Sequence, residues 1–154
     1  MRVRIFVFAL AVLLAGCGND PSGPPSGPRF DQLLNTLYSN LKDPARIVVS
    51  DSASWVNAWA LISSGSSLGR RPDVDFRVDE VIVIALGERR RAGYAVRVER
   101  VDFSTDARTI HVLQTAPADN CSSSEVITTP LEAIVVTRSP QPTHFQERLL
   151  IARC

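Results

Sequence analysis

Few side chains in this 154-residue sequence are of types that do chemistry, and spacing decides what each could do. Gly65-Ser66-Ser67-Leu68-Gly69 matches G-x-S-x-G, the pattern around an activated serine. That chemistry needs Ser67 on a tight turn that leaves a strand and opens a helix, with an acid and a histidine following. Here a helical pattern precedes the motif and Arg70-Arg71-Pro72 follows it, so the order is reversed. His111 falls in an alternating strand and His144 in a polar loop after Pro142, and nothing in the spacing brings either to a nucleophile. Asp79-Glu80 sits at a strand start with no second acidic group at a telling distance. No glycine loop opens a helix that could cradle phosphate. The expectation is a protein with no catalytic residue, no metal and no cofactor.

The thiols are more informative. Arg2 and Arg4 precede an apolar run, Ile5 to Leu14, that is too short for the ~20 residues a bilayer requires. With Ala15-Gly16 as a small-residue exit, residues 1–16 have the three parts of a secretory signal. Leu14-Ala15-Gly16-Cys17 looks like a bacterial lipobox, in which the Cys17 thiolate takes a diacylglycerol and the chain is cut before it. The new amine is then acylated, and several acyl chains anchor stably where one holds marginally. The location expected is the cell envelope, and with Gly18 rather than Asp after the cysteine, the outer membrane of a two-membrane bacterium.

Residues 17–28 then form a tether, since Gly18 to Pro28 (GNDPSGPPSGP) has no apolar periodicity and its prolines stiffen it. With Cys17 lipidated, Cys121 and Cys154 remain in an oxidising compartment, and neither lies in a CxxC with histidines at zinc spacing. A Cys121–Cys154 disulfide is expected, two free thiols being the alternative. Loss of Arg2 and Arg4 takes the formal net charge from +1 to −1, which gives no electrostatic case for nucleic acid.

The elements that must position anything else lie in residues 29–154, a size suited to one domain. One stretch reads plainly as an amphipathic helix near residues 52–64. Ser52-Ala53-Ser54 offers capping hydroxyls, Trp55, Ala58, Trp59 and Ile62 recur at helical spacing, and Gly65 ends it. Both tryptophans are expected in the core. Glu80 to Leu86 is apolar on both parities, as in a strand covered on two faces. Arg46–Ser50, Gly93–Val101, Thr109–Thr115, Leu131–Thr137 and Phe145–Ala152 also read as strands, with a turn at Ser104-Thr105-Asp106. Phe30 to Leu41 fits either a helical stripe or an extended chain. The fold class expected is mainly β (α+β): an antiparallel sheet or small sandwich of about six to seven short strands with one helix.

Between two strong strands lies LGERRRAGY, Leu86 to Tyr94. Gly87 and Gly93 permit positive φ and a tight connection, and three adjacent arginines favour water or an acidic partner. Gly87, Glu88, Arg89, Gly93 and Tyr94 resemble the G-E-R-P-T-G-G-Y motif of the PrcB family C-terminal domain. So do the Trp55…Trp59 pair, Val74-Asp75-Phe76, Thr115, Pro117, Cys121 and Thr129-Pro130, and the resemblance covers most of Trp55 to Val136. Arg90, Arg91 and Ala92 depart from the motif's proline, threonine and first glycine.

The family is named for an accessory lipoprotein subunit of a bacterial surface protease complex. The resemblance tilts Phe30–Leu41 towards strand and implies a non-catalytic interaction module that assists, stabilises or localises a protein partner, such as a protease. Gly87, Glu88, Arg89, Arg90, Arg91, Gly93 and Tyr94 are the partner-binding candidates, and Cys17 supplies the contact with the membrane. Two rivals remain open: a protease inhibitor acting through the 86–94 loop, and a structural envelope lipoprotein with no dedicated partner.

Overall fold

The computed structural model describes residues 30–65, 67–122 and 124–153. Cys17, the leader, the tether and Cys154 lie outside them. Within them run β1 (Phe30–Thr36), β2 (Ala45–Val49), α1 (Ser52–Ser63), β3 (Asp79–Ala85), β4 (Ala95–Phe103), β5 (Arg108–Pro117), β6 (Leu131–Thr137) and β7 (Thr143–Ala152). The strands form a four-stranded sheet in the order β1-β6-β3-β2 and a three-stranded sheet in the order β4-β5-β7. This is the mainly β fold with one helix that the pattern of the sequence predicts.

The alternation of β3 explains the three layers. Val81, Val83 and Ala85 point to one side, where they meet Trp55, Ala58, Trp59 and Ile62 of α1. Ile82, Ile84 and Leu86 point to the other, where they meet Val96, Val98, Ile110 and Val112 of the second sheet. A strand with cover on both faces has no polar parity, hence the unbroken apolar run. Leu33 and Leu34 both pack on the helix side because a bulge between Gln32 and Leu34 shifts β1 by one residue. That bulge is why the segment imitates a helical stripe.

The helix is capped differently from expectation. Its N-cap is Asp51, whose carboxylate accepts from the Ser54 amide at 2.8 Å and the Ser54 hydroxyl at 2.6 Å. A carboxylate outcompetes a hydroxyl here because it is a charged acceptor beside the positive end of the helix. Trp55 and Trp59 meet edge to face with centroids 5.5 Å apart, and the Trp55 indole donates to the Pro72 carbonyl at 3.0 Å.

Two other expectations need correction. The strands are not all short or antiparallel: β5 and β7 are ten residues each and pair in parallel. His144 lies on β7, not in a loop.

Side chains tie the two sheets at both sides of the apolar core. Asn35, Glu132, Ile84 and Arg46 form one cross-strand row of the four-stranded sheet, facing the second sheet. At one end Asn35 donates to the Val96 carbonyl and Glu132 accepts from the Val98 amide, both on β4. At the other end Arg46 makes a two-pronged ion pair with Glu147 of β7, at 2.5 and 2.9 Å. A third tie is internal, with Arg108 of β5 lying 2.7 Å from Glu80 of β3.

Candidate functional site

The Leu86–Tyr94 segment sits at the end of the four-stranded sheet, where β3 and β6 stop pairing regularly but do not part. The Leu86 amide donates to Pro130 at 2.9 Å, Arg89 and Thr128 exchange amide bonds at 2.7 and 2.8 Å, and the Ala92 amide donates to Ser124 at 3.0 Å. On the opposite side the Glu88 amide donates to the Lys42 carbonyl at 2.8 Å. The connection is thus fixed through its backbone, leaving its side chains as the variable part.

Gly87 explains the close fit. It has φ +77°, and an added Cβ would lie 2.7 Å from the Lys42 oxygen and 2.8 Å from the Pro44 nitrogen. Gly93, at φ +100°, packs on Pro117, with an added Cβ 3.1 Å from the proline ring. Thr129 fastens the same end from β1's side: its hydroxyl donates to the Ser39 carbonyl at 2.5 Å, and its amide donates to Leu37 at 2.7 Å. Motif residues far apart in the chain (Gly87, Gly93, Pro117 and Thr129-Pro130) therefore meet in one place.

The arginines do not simply project into water. The guanidinium carbons of Arg89 and Arg91 lie 5.5 and 6.0 Å from the Tyr94 ring centroid, within the range of cation–π attraction. Arg91 also reaches Asp119 at 3.3 Å and the Pro117 carbonyl at 3.4 Å. The Tyr94 hydroxyl, then Asp119, hold its guanidinium above the ordinary value, so the charge is permanent. Arg90 points outward, 88% exposed, with Glu88 3.7 Å away. Glu88, the three arginines and Tyr94 line an open cleft of about 670 Å³ with Cys121, Ser122 and Glu125. The cleft is therefore of mixed charge rather than uniformly basic, because carboxylates lie beside two of the three arginines. These pairs are exposed and weak, so a partner's carboxylate can displace them. Tyr94 is half-buried and precedes β4 instead of opening it.

Cys121 adjoins this cleft, its sulfur 3.8 Å from the Ala152 carbonyl oxygen, two residues before Cys154. The Ala118 amide donates to that same oxygen, so the end of β7 and the Cys121 loop are held together. The pairing itself lies beyond the described residues.

The other sequence candidates are not brought together. Ser67 follows α1 in a loop flanked by Gly65 and Gly69 at positive φ, and no strand leads into it. His111 is on β5, 2.8 Å from Asp102 and 2.9 Å from Arg100. His144 is on β7. Sequence reasoning carried Thr129-Pro130 only through the resemblance and Glu80 only as half of Asp79-Glu80; it missed that segment 124–130 holds the loop and that the carboxylates of Glu80 and Glu132 point inward. Their signal was available: each is an acidic residue at a core-facing position of an otherwise apolar strand.

The class this defines is a two-sheet β domain, backed by one helix, that presents a backbone-fastened loop with two arginines against a tyrosine. Residues 81–137, from β3 to the end of β6, match the family model described as PrcB C-terminal. The match begins after the tryptophan pair and Val74-Asp75-Phe76. Comparison with curated proteins and with solved structures gives no match.

Proposed function

We propose that this protein is a non-catalytic accessory module, held in the bacterial envelope by lipid on Cys17, that grips a protein partner through the Leu86–Tyr94 face. A surface protease complex is the kind of partner that the match of residues 81–137 to the PrcB C-terminal family model favours. One observation carries the reading. The loop's backbone groups are engaged by Lys42, Ser124, Thr128 and Pro130, while Arg89, Arg90, Arg91 and Tyr94 line an open cleft. A fixed backbone reduces the ordering cost of binding, and arginine and tyrosine are the side chains that make strong protein contacts. Partner carboxylates meeting this cleft would bind less well as salt rises.

The test uses crosslinking in intact envelopes with Arg90→Glu, since Arg90 makes few contacts inside the domain, while Arg89 and Arg91 also support Tyr94. The expected result is a clear drop in one crosslinked species with an unchanged fold. Equal yields from both proteins would remove the loop from the function. Stoichiometric slowing of proteases by the purified protein would instead favour an inhibitor. The anchor is tested separately: Cys17→Ser should move the protein to soluble fractions, and retention in membranes would refute lipidation at Cys17.

A further inference from the structure

The four sheet edges are not equally protected. A bare edge is a template for another strand, and proteins guard it with shortness, bulges, prolines, charged side chains (lysine above all) or a covering segment. Strand β1 has its bulge at Gln32/Leu34. Strand β2 is five residues long. Strand β4 has a bulge between Val98 and Arg100, and its outward Val96 carbonyl and Val98 amide are covered by Asn35 and Glu132. Strand β7 is ten residues long, with no proline or lysine and an unbroken register with β5, and its charged residues, Glu147 and Arg148, precede an unguarded apolar end.

The apolar end of β7 is also the exposed end. Leu149, Leu150 and Ile151 are 61, 46 and 49% exposed. Pro142 and Ala152 turn their carbonyls to β5 and its extension, accepting from Arg108 and Ala118. Residues of the same parity along β7 therefore face β5, and Phe145, Glu147, Leu149 and Ile151 turn their backbone groups away from it.

We propose that this edge pairs with the same edge of a second copy, antiparallel, with Leu150 on the two-fold axis. In that register Leu149 faces Ile151 of the other copy and Ile151 faces its Leu149, both at positions whose backbone groups point across the interface. Leu150 meets its own counterpart as the closely spaced, non-hydrogen-bonded pair. One step further out Glu147 faces Arg153, and by symmetry Arg153 faces Glu147. Arg153 has no ion-pair partner among the described residues, and Glu147, which accepts from Arg46 on both oxygens and from Gln114 on Oε2, retains a lone pair on Oε1 for a further donor. The register centred on Leu149 would instead set Glu147 against Ile151. A self-complementary patch of this kind is what a closed two-fold dimer requires.

The experiment places a cysteine at the axis of the full-length, membrane-borne protein. Closely spaced pairs suit disulfide geometry, so Leu150→Cys should give a covalent dimer under mild oxidation, well above the wild-type level. Adding Leu149→Lys to Leu150→Cys should abolish the dimer, while unchanged tryptophan fluorescence shows the domain still folded. Three results would overturn the proposal: no dimer above wild type, equal dimer from Gln146→Cys, or crosslinking of Leu150→Cys to a protein of different mass.

Discussion

Replacing Glu80 with alanine is the sharpest test of how the two sheets are held. The Arg108 side chain is 1% exposed. Its polar contacts are the Glu80 carboxylate at 2.7 Å, the Thr143 hydroxyl at 2.7 and 3.1 Å, and the Thr137 carbonyl at 3.3 Å. Glu80 is the one anion among them. Without it a buried guanidinium keeps only neutral acceptors, and Arg138, 3.9 Å from the other Glu80 oxygen, faces the vacated space as a second cation. Removing one member of a buried pair costs about 3–5 kcal/mol, whereas replacing both with apolar side chains is roughly neutral.

For a domain whose whole stability is about 5–15 kcal/mol, the single change is severe. With a urea m-value of about 2 kcal/mol per molar, the midpoint should fall by about 2 M. Trp55 and Trp59, both buried, report the transition by fluorescence. Glu80→Gln keeps an acceptor without charge and should fall between the extremes. The double change Glu80→Leu, Arg108→Met should recover most of the loss. A Glu80→Ala midpoint within about 0.3 M of wild type (on the order of 0.6 kcal/mol at that slope), or no recovery in the double variant, would refute the reasoning.

Two more predictions concern the site and its supports. Gly87→Ala should cost at least about 1–2 kcal/mol from its backbone conformation alone, with the contact to Lys42 adding to it. Gly65→Ala, at similar φ with open space around it, should cost less, and equal losses in urea titrations would remove that contact from the explanation. Glu132→Ala should cost about 1–3 kcal/mol by orphaning the Val98 amide, while Glu132→Gln, which can still accept that bond, should cost little.

The Glu132 variants also separate in pH. Burial raises the Glu132 carboxyl above its ordinary value, so the folded state holds the proton more tightly. Its stability contribution is complete below the unfolded pKa and is lost as pH rises through the folded one. Glu132→Gln should lack that loss, and parallel stability–pH curves would contradict it. Asp75, held at about 2 by Arg77, acts in the opposite sense, its contribution fading only as pH falls towards 2.

Legibility in the sequence followed burial. The tryptophan face of α1 and the two-sided β3 were readable because every position on them answers to one rule, cover by apolar neighbours. Strand β1 was ambiguous because its bulge puts Leu33 and Leu34 on one side, and a bulge leaves no mark in periodicity. The parallel return of β7 was not readable, since pairing partners are set by topology and not by the strand's own residues. At the loop, Gly87 and Gly93 announced positive φ. The approach of Arg89 and Arg91 to Tyr94 was not readable, since no local pattern sets where those side chains turn.

Strand β3 serves as a party wall between two interiors. Whichever way a residue on it points, it must be greasy or, like Glu80, be neutralised where it stands, so the strand has no spare side for recognition. Sites that touch other molecules are thereby displaced to the rims, where the chain turns. Those rims can vary between relatives without touching the wall, so a domain of this design can change what it holds without being rebuilt.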